Sequence, residues 1–95
     1  MAADDRSERT LQIQNELGLH ARAATKFVQL ASKFTGCSIT VTKGDNEVNG
    51  KSILALLTLM APCGTTLTIR ARGDRAEDAV AMLGALIDDK FGEGK

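Results

Sequence analysis

The spacing of apolar residues along this chain switches between two periods. In Thr10-Leu11-Gln12-Ile13-Gln14 every second residue is apolar, which places Leu11 and Ile13 on one face of a short strand. Gly18 breaks that pattern with a flexible turn. From Ala21 the period lengthens: Ala24, Phe27, Val28, Ala31 and Phe34 follow helical spacing, so a first helix is expected from Ala21 to Phe34, ended by Thr35-Gly36. Ser38 to Thr42 alternates again and is β-branched, as a second strand should be. Lys43-Gly44-Asp45-Asn46 forms a turn, and Glu47-Val48-Asn49 makes a short third strand anchored by Val48 alone.

The run Ile53 to Met60 is apolar almost without interruption, a pattern shared by buried strands and helices. Its leucines, alanine and methionine favour helix, and Ser52 is a suitable N-cap. A small domain can cover only one side of such a helix, so part of its leucine surface is left as a docking patch. Ala61-Pro62-Cys63-Gly64 turns the chain. In Thr65 to Arg72, Leu67, Ile69 and Ala71 face one way, and Thr66, Thr68, Arg70 and Arg72 the other. Asp74 and Glu77 have the spacing of a capping box, opening a third helix that reaches Phe91 and buries Ala76, Ala79, Val80, Leu83, Leu86 and Ile87.

The order is strand, helix, strand, strand, helix, strand, helix. A four-stranded antiparallel sheet with three helices on one face buries every apolar stripe at once, and gives an α+β fold. Residues 1–9 offer almost nothing to bury and read as a flexible arm, 10–91 as one domain, and 92–95 as a frayed tail. The chain of 95 residues has room for a single core.

Composition narrows the functions open to this domain. Twelve basic residues balance twelve acidic ones, and there is no Trp or Tyr. An RNA-binding α/β domain is thereby disfavoured, since it needs basic patches and aromatic platforms. No apolar run approaches the roughly 20 residues that span a bilayer, and the charged N-terminal segment does not read as a signal peptide. Cys37 and Cys63 form no CxxC pair, so reduced thiols in a cytoplasmic setting are expected.

His20 is the only histidine, and it stands where the first strand hands over to the first helix. A neutral imidazole near physiological pH can attack a phosphoryl group and pass it on. At a helix N-terminus the phosphate would meet free N–H groups of Ala21, Arg22 and Ala23 and the positive end of the helix dipole, without a metal. The Arg22 side chain can add a charge-assisted bond. Two readings of His20 stand at this point, a surface or capping residue and a nucleophile, and Arg22 can simply be a solvated arginine, the commoner case for any single Arg. One His and two distant Cys match no ordinary zinc spacing. Ser52 also has two readings, an N-cap and a phosphorylation site; a phosphate there would set about two negative charges at the rim of the apolar patch.

Two motifs carry a resemblance. Gly18-Leu19-His20-Ala21-Arg22-Ala23-Ala24 resembles the active-site segment of the histidine-containing phosphocarrier protein (HPr) family of the bacterial phosphotransferase system, and Asn49-Gly50-Lys51-Ser52-Ile53 is similar to that family's regulatory serine segment. The resemblance spans Thr10 to Phe91. It implies an open-faced β-sandwich of strand order 1-4-2-3. It also implies a carrier, not an enzyme, that needs no cofactor and is phosphorylated at Nδ1 of His20 by Enzyme I with phosphate from phosphoenolpyruvate. Enzyme IIA components of sugar transporters or regulatory proteins would then receive the group. Arg22 would assist the transfer, HPr kinase/phosphorylase would modify Ser52, and Ile53, Leu54 and Leu57 would belong to the docking surface. Nothing demands more than a monomer. A rival of another class is a ligand-binding regulatory α/β domain, which would tolerate the loss of His20.

The family usually has proline directly after the arginine, where this chain has Ala23. The departure keeps open a specialised paralogue such as the nitrogen-related branch, whereas Lys51-Ser52-Ile53 leans toward a carrier under serine-kinase control. Proline is tolerated in a first helical turn and pre-sets its φ. Ala23→Pro should therefore change the lifetime of phosphohistidine or the transfer rate while leaving phosphorylation possible; a phosphate-release time course checks this, and complete loss of phosphorylation contradicts it.

Overall fold

A computed structural model describes residues 5–95. Its elements follow the expected order: β1 (Arg6–Gln12), α1 (Ala21–Ala31), β2 (Cys37–Lys43), β3 (Asn46–Asn49), α2 (Ile53–Thr58), β4 (Thr66–Gly73) and α3 (Ala76–Asp88), closed by a tight turn at Lys90–Gly92. The strands form one antiparallel sheet in the order β1-β4-β2-β3. Alternation along β4 decides its two faces. Leu67, Ile69 and Ala71 are buried, and Ile69 stands opposite Arg9 of β1 and Val41 of β2. Thr66, Thr68, Arg70 and Arg72 lie on the open side, where Thr10 and Thr68 share a hydroxyl hydrogen bond at 2.9 Å and Arg70 pairs with Glu8 at 2.8 Å. All three helices pack on the buried face, and Phe27, Leu56, Leu83 and Ile87 meet the sheet residues in one core.

β1 starts at Arg6, so Arg6 to Arg9 belong to the sheet and not to a flexible arm; Met1 to Asp4 lie outside the described residues. Backbone pairing with β4 continues to Arg6↔Arg72 and needs no apolar side chain. Arg9 occupies an inward position at the sheet edge, reaches over α3 and pairs with Asp88 at 2.5 Å. Gly84 makes room for it, because a Cβ there would come 2.5 Å from the Arg9 guanidinium.

Helix ends also depart from expectation. α1 stops at Ala31; Lys33 and Phe34 then donate to Leu30 and Ala31 carbonyls in tighter i→i−3 bonds, which keep Phe34 in the core. α2 closes at Thr58, where Lys43 Nζ donates to the carbonyls of Leu59 and Met60, both at 2.9 Å. Asp74 is not the N-cap of α3. Arg75 takes that position in the left-handed region at φ 61° without a side-chain cap, and the Asp74 backbone is held instead by the Gly36 carbonyl at 3.0 Å.

The third helix likewise ends before Phe91, at Asp88. Lys90, Phe91 and Gly92 follow with φ of 58°, 56° and 78°, a left-handed run that reverses the chain. For the two non-glycine residues this conformation costs about 1–3 kcal/mol each. Burial of the whole Phe91 side chain and a 2.7 Å bond from Lys26 Nζ to its carbonyl offset that cost. Phe91→Ala should destabilise the fold by about 3–5 kcal/mol, seen as a lower urea midpoint at unchanged slope.

Candidate functional site

His20 is the N-cap of α1, with extended backbone at φ −79° and ψ 178°. An N-cap side chain ordinarily accepts from one of the first backbone N–H groups of its helix. Here imidazole Nδ1 plays that part, accepting from the Arg22 N–H at 3.2 Å. The first helical backbone bond, from Ala24 N–H to the His20 carbonyl, measures 2.8 Å. Gly18 at φ +72° brings the chain into this position. A Cβ on it would lie 2.6 Å from the Ala61 carbonyl, and the next residue, Leu19, donates its N–H to that same carbonyl at 2.9 Å.

The opposite edge of the ring meets a residue with no signal in the sequence. Nε2 of His20 is hydrogen-bonded to Oε2 of Glu93, from the segment expected to be frayed. Glu93 Oε1 accepts from Asn15 Nδ2 at 2.9 Å, and the same amide nitrogen donates to the Gly18 carbonyl at 2.7 Å. Asn15 is fully buried, so its amide is a fixed strut between the turn and the tail. The Glu16 N–H adds a bond to the Lys95 carbonyl at 2.9 Å. Hydrogen bonds from Asn15 and then His20 hold the Glu93 carboxyl below its ordinary value; burial opposes them, and the charges of His20 and Arg22 add to them. The side chains of His20 and Glu93 are 24% and 14% exposed, leaving the ring within reach of a partner.

The remaining expected residues fall around this centre. Ala21 and Arg22 are exposed and Ala23 is buried in the first turn of α1. Among the described residues the Arg22 side chain forms no ion pair within 4 Å, and its charge reaches Glu93 through space. Ser52 is the N-cap of α2, accepting from the Ala55 N–H at 3.1 Å. Its neighbour Lys51 points elsewhere, donating to the carbonyls of Phe34 and Cys37 at 2.8 and 2.6 Å. α1 and α2 pack against each other, which places both capped helices in one layer. Of the three docking candidates Leu54 is 77% exposed, whereas Ile53 and Leu57 are half-buried against the core. Leu17 and Met60 are also open to solvent, at 68% and 77%. Among the described residues no three His, Cys, Asp or Glu side chains are placed to hold a metal, and no helix is long and apolar enough to cross a membrane.

A four-stranded open-faced sandwich whose one histidine caps the first helix defines a class of small α+β domain with an accessible imidazole at a helix N-terminus. A family model described as the PTS HPr component phosphorylation site matches residues 7–89. The phosphocarrier protein HPr of Neisseria meningitidis is 44% identical over 88 residues, covering 93% of this chain and 98% of that protein. The phosphocarrier protein NPr of Shewanella violacea is 44% identical over 86 residues, covering 90% and 93%. The crystal structure of HPr-C-His from Thermoanaerobacter tengcongensis superposes with a TM-score of 0.89 at 44% identity, covering 94% of this chain and 99% of that one. The chain belongs to the HPr family of phosphocarrier proteins of the phosphotransferase system.

Because Glu93 is more acidic when docked, its hold on the tail is complete above the ordinary glutamate value of 4.5 and is lost as pH falls through the lowered value. The Glu93 side-chain carboxyl resonance in an NMR titration should accordingly have its midpoint below 4.5. Asn15→Asp sets a carboxylate against the oxygens of Glu93 and Gly18. It should release residues 93–95 at neutral pH, seen as loss of amide-exchange protection at Glu16, and cost about 1–3 kcal/mol of stability.

Proposed function

We propose that the protein accepts a phosphoryl group on Nδ1 of His20 from phospho-Enzyme I and donates it to enzyme IIA components of sugar transport. The observation that carries this reading is the direction of Nδ1, which faces the first N–H groups of α1 and accepts from Arg22 at 3.2 Å. A lone pair offered to an N–H donor is the lone pair a phosphorus atom requires. Once the Nδ1–P bond forms, that N–H is released from the ring, and the phosphate oxygens can take it together with those of Ala21 and Ala23. Arg22, exposed and without an ion pair within 4 Å among the described residues, can swing onto the dianion. The group must also leave again, so loose, solvent-facing contacts suit a carrier better than a closed cage.

Docking would use the exposed Leu54 with the adjoining parts of Ile53 and Leu57. Ser52 lies one residue before that surface, and its phosphorylation by HPr kinase/phosphorylase would place a dianion at the rim and repel an acidic partner. The hydroxyl already accepts from Ala55, so a phosphate there remains compatible with α2. We place the carrier in the cytoplasm as a monomer. The NPr relative of Shewanella violacea, no less identical than the HPr of Neisseria meningitidis, supports a second reading: a nitrogen-branch or other regulatory paralogue with the same chemistry at His20 and different acceptors.

Incubation with Enzyme I and phosphoenolpyruvate should add a single acid-labile phosphate that His20→Ala abolishes; no gain with a competent Enzyme I would refute the carrier. Serine kinase should add an acid-stable phosphate that Ser52→Ala removes, and label surviving that change refutes the assignment. Ser52→Ala also deletes a cap and should cost about 1 kcal/mol in a denaturant melt.

A further inference from the structure

The tail is aimed at His20 by several independent devices. The left-handed run Lys90-Phe91-Gly92 turns it back, the buried Phe91 pins the turn, and the Glu16–Lys95 backbone bond holds it beyond Glu93. Between these anchors the two oxygens of one carboxylate are divided between Asn15 and the imidazole. Two contacts also agree on the protonation of the ring. A carboxylate at Nε2 needs Nε2–H, and an N–H donor at Nδ1 needs a lone pair there. Both are met by one neutral tautomer.

We propose that Glu93 is a positioning residue for phosphoryl transfer at His20, fixing the plane of the ring through Nε2–H and balancing the charge that the ring gains at Nδ1. The proposal rests on the carrier reading. In the step, Nδ1 of His20 attacks phosphorus on a phosphorylated imidazole of the donor. The new N–P bond forms as the donor's N–P bond breaks, and that electron pair leaves with the donor ring. Nε2 of His20 keeps its hydrogen throughout, so no proton is transferred there. The His20 ring takes on the positive charge that the donor ring loses. That charge is shared with Nε2–H, which lies against the Glu93 carboxylate. Asn15 acts one step further out, keeping the carboxylate in place by donating to its other oxygen.

Two variants grade the loss: Glu93→Gln removes the charge and leaves one acceptor oxygen, enough for Nε2–H but not also for Asn15, and Glu93→Ala removes the charge and both acceptors. Nitrogen-15 spectra of the His20 ring report its tautomer without any phosphate present, and a rapid-quench assay with phospho-Enzyme I gives kcat and KM. The expected result for Glu93→Ala is a kcat lower by about tenfold, the electrostatic equivalent of one pKa unit, at unchanged KM. Its ring signals should shift toward mixed tautomers. Glu93→Gln should retain the ring signals and fall between the two in rate. Wild-type rate and ring signals in Glu93→Ala, or a change in KM alone, would overturn the proposal while leaving the carrier intact. Absence of phosphate transfer to the unaltered chain would overturn the carrier reading and this proposal with it.

Discussion

Strict alternation along β4 is the constraint from which the rest of the molecule follows. The strand lies between β1 and β2 and pairs with both, so its choice of face is imposed on its neighbours through register. Leu67, Ile69 and Ala71 turn to one side and require cover. Only the helices can supply it, which confines all three to that side and leaves the threonine and arginine face to water. A shift of one residue in register would exchange the two faces, turning Ile69 to water and Arg70 toward the helices.

The site is a by-product of that layering. α1 must begin where the chain leaves β1, and the turn between them is narrow, with Gly18 pressed against the Ala61 carbonyl. His20 therefore arrives at the helix N-terminus as its cap, with Nδ1 committed to the Arg22 N–H. α3 runs back over β1, and the reversal at Phe91 returns the tail to the same turn. One short loop thus receives both the start of the first helix and the end of the last element. The buried amide of Asn15 joins the two, donating to Gly18 and to Glu93.

Much of this was legible in the residues themselves. The motif around His20, the serine cap of α2 and the inward residues of β4 are local patterns, and the structure places His20 and Ser52 at the N-caps expected of them. Other elements gave no such signal. Arg6 to Arg9 are polar, and their strand is held by backbone bonds that composition does not report. Asp74 and Glu77 carry the spacing of a capping box, yet the left-handed turn at Arg75 starts the helix one residue later. A glutamate between two glycines near the tail reads as solvent-exposed until Phe91 is seen to pin the segment.

What the sequence by itself determined is the periodicity of each element, the face each one buries, and the chemistry available at a capped helix start. These depend on residues within a turn or two of each other. Tertiary structure alone decided that Glu93 would stand on the far nitrogen of His20, across 73 positions in sequence. The reason is physical: a hydrogen bond of that separation follows from where two well-packed segments come to rest. The residues that set those positions, Asn15 and Phe91, act through burial, which becomes visible only once the core is closed.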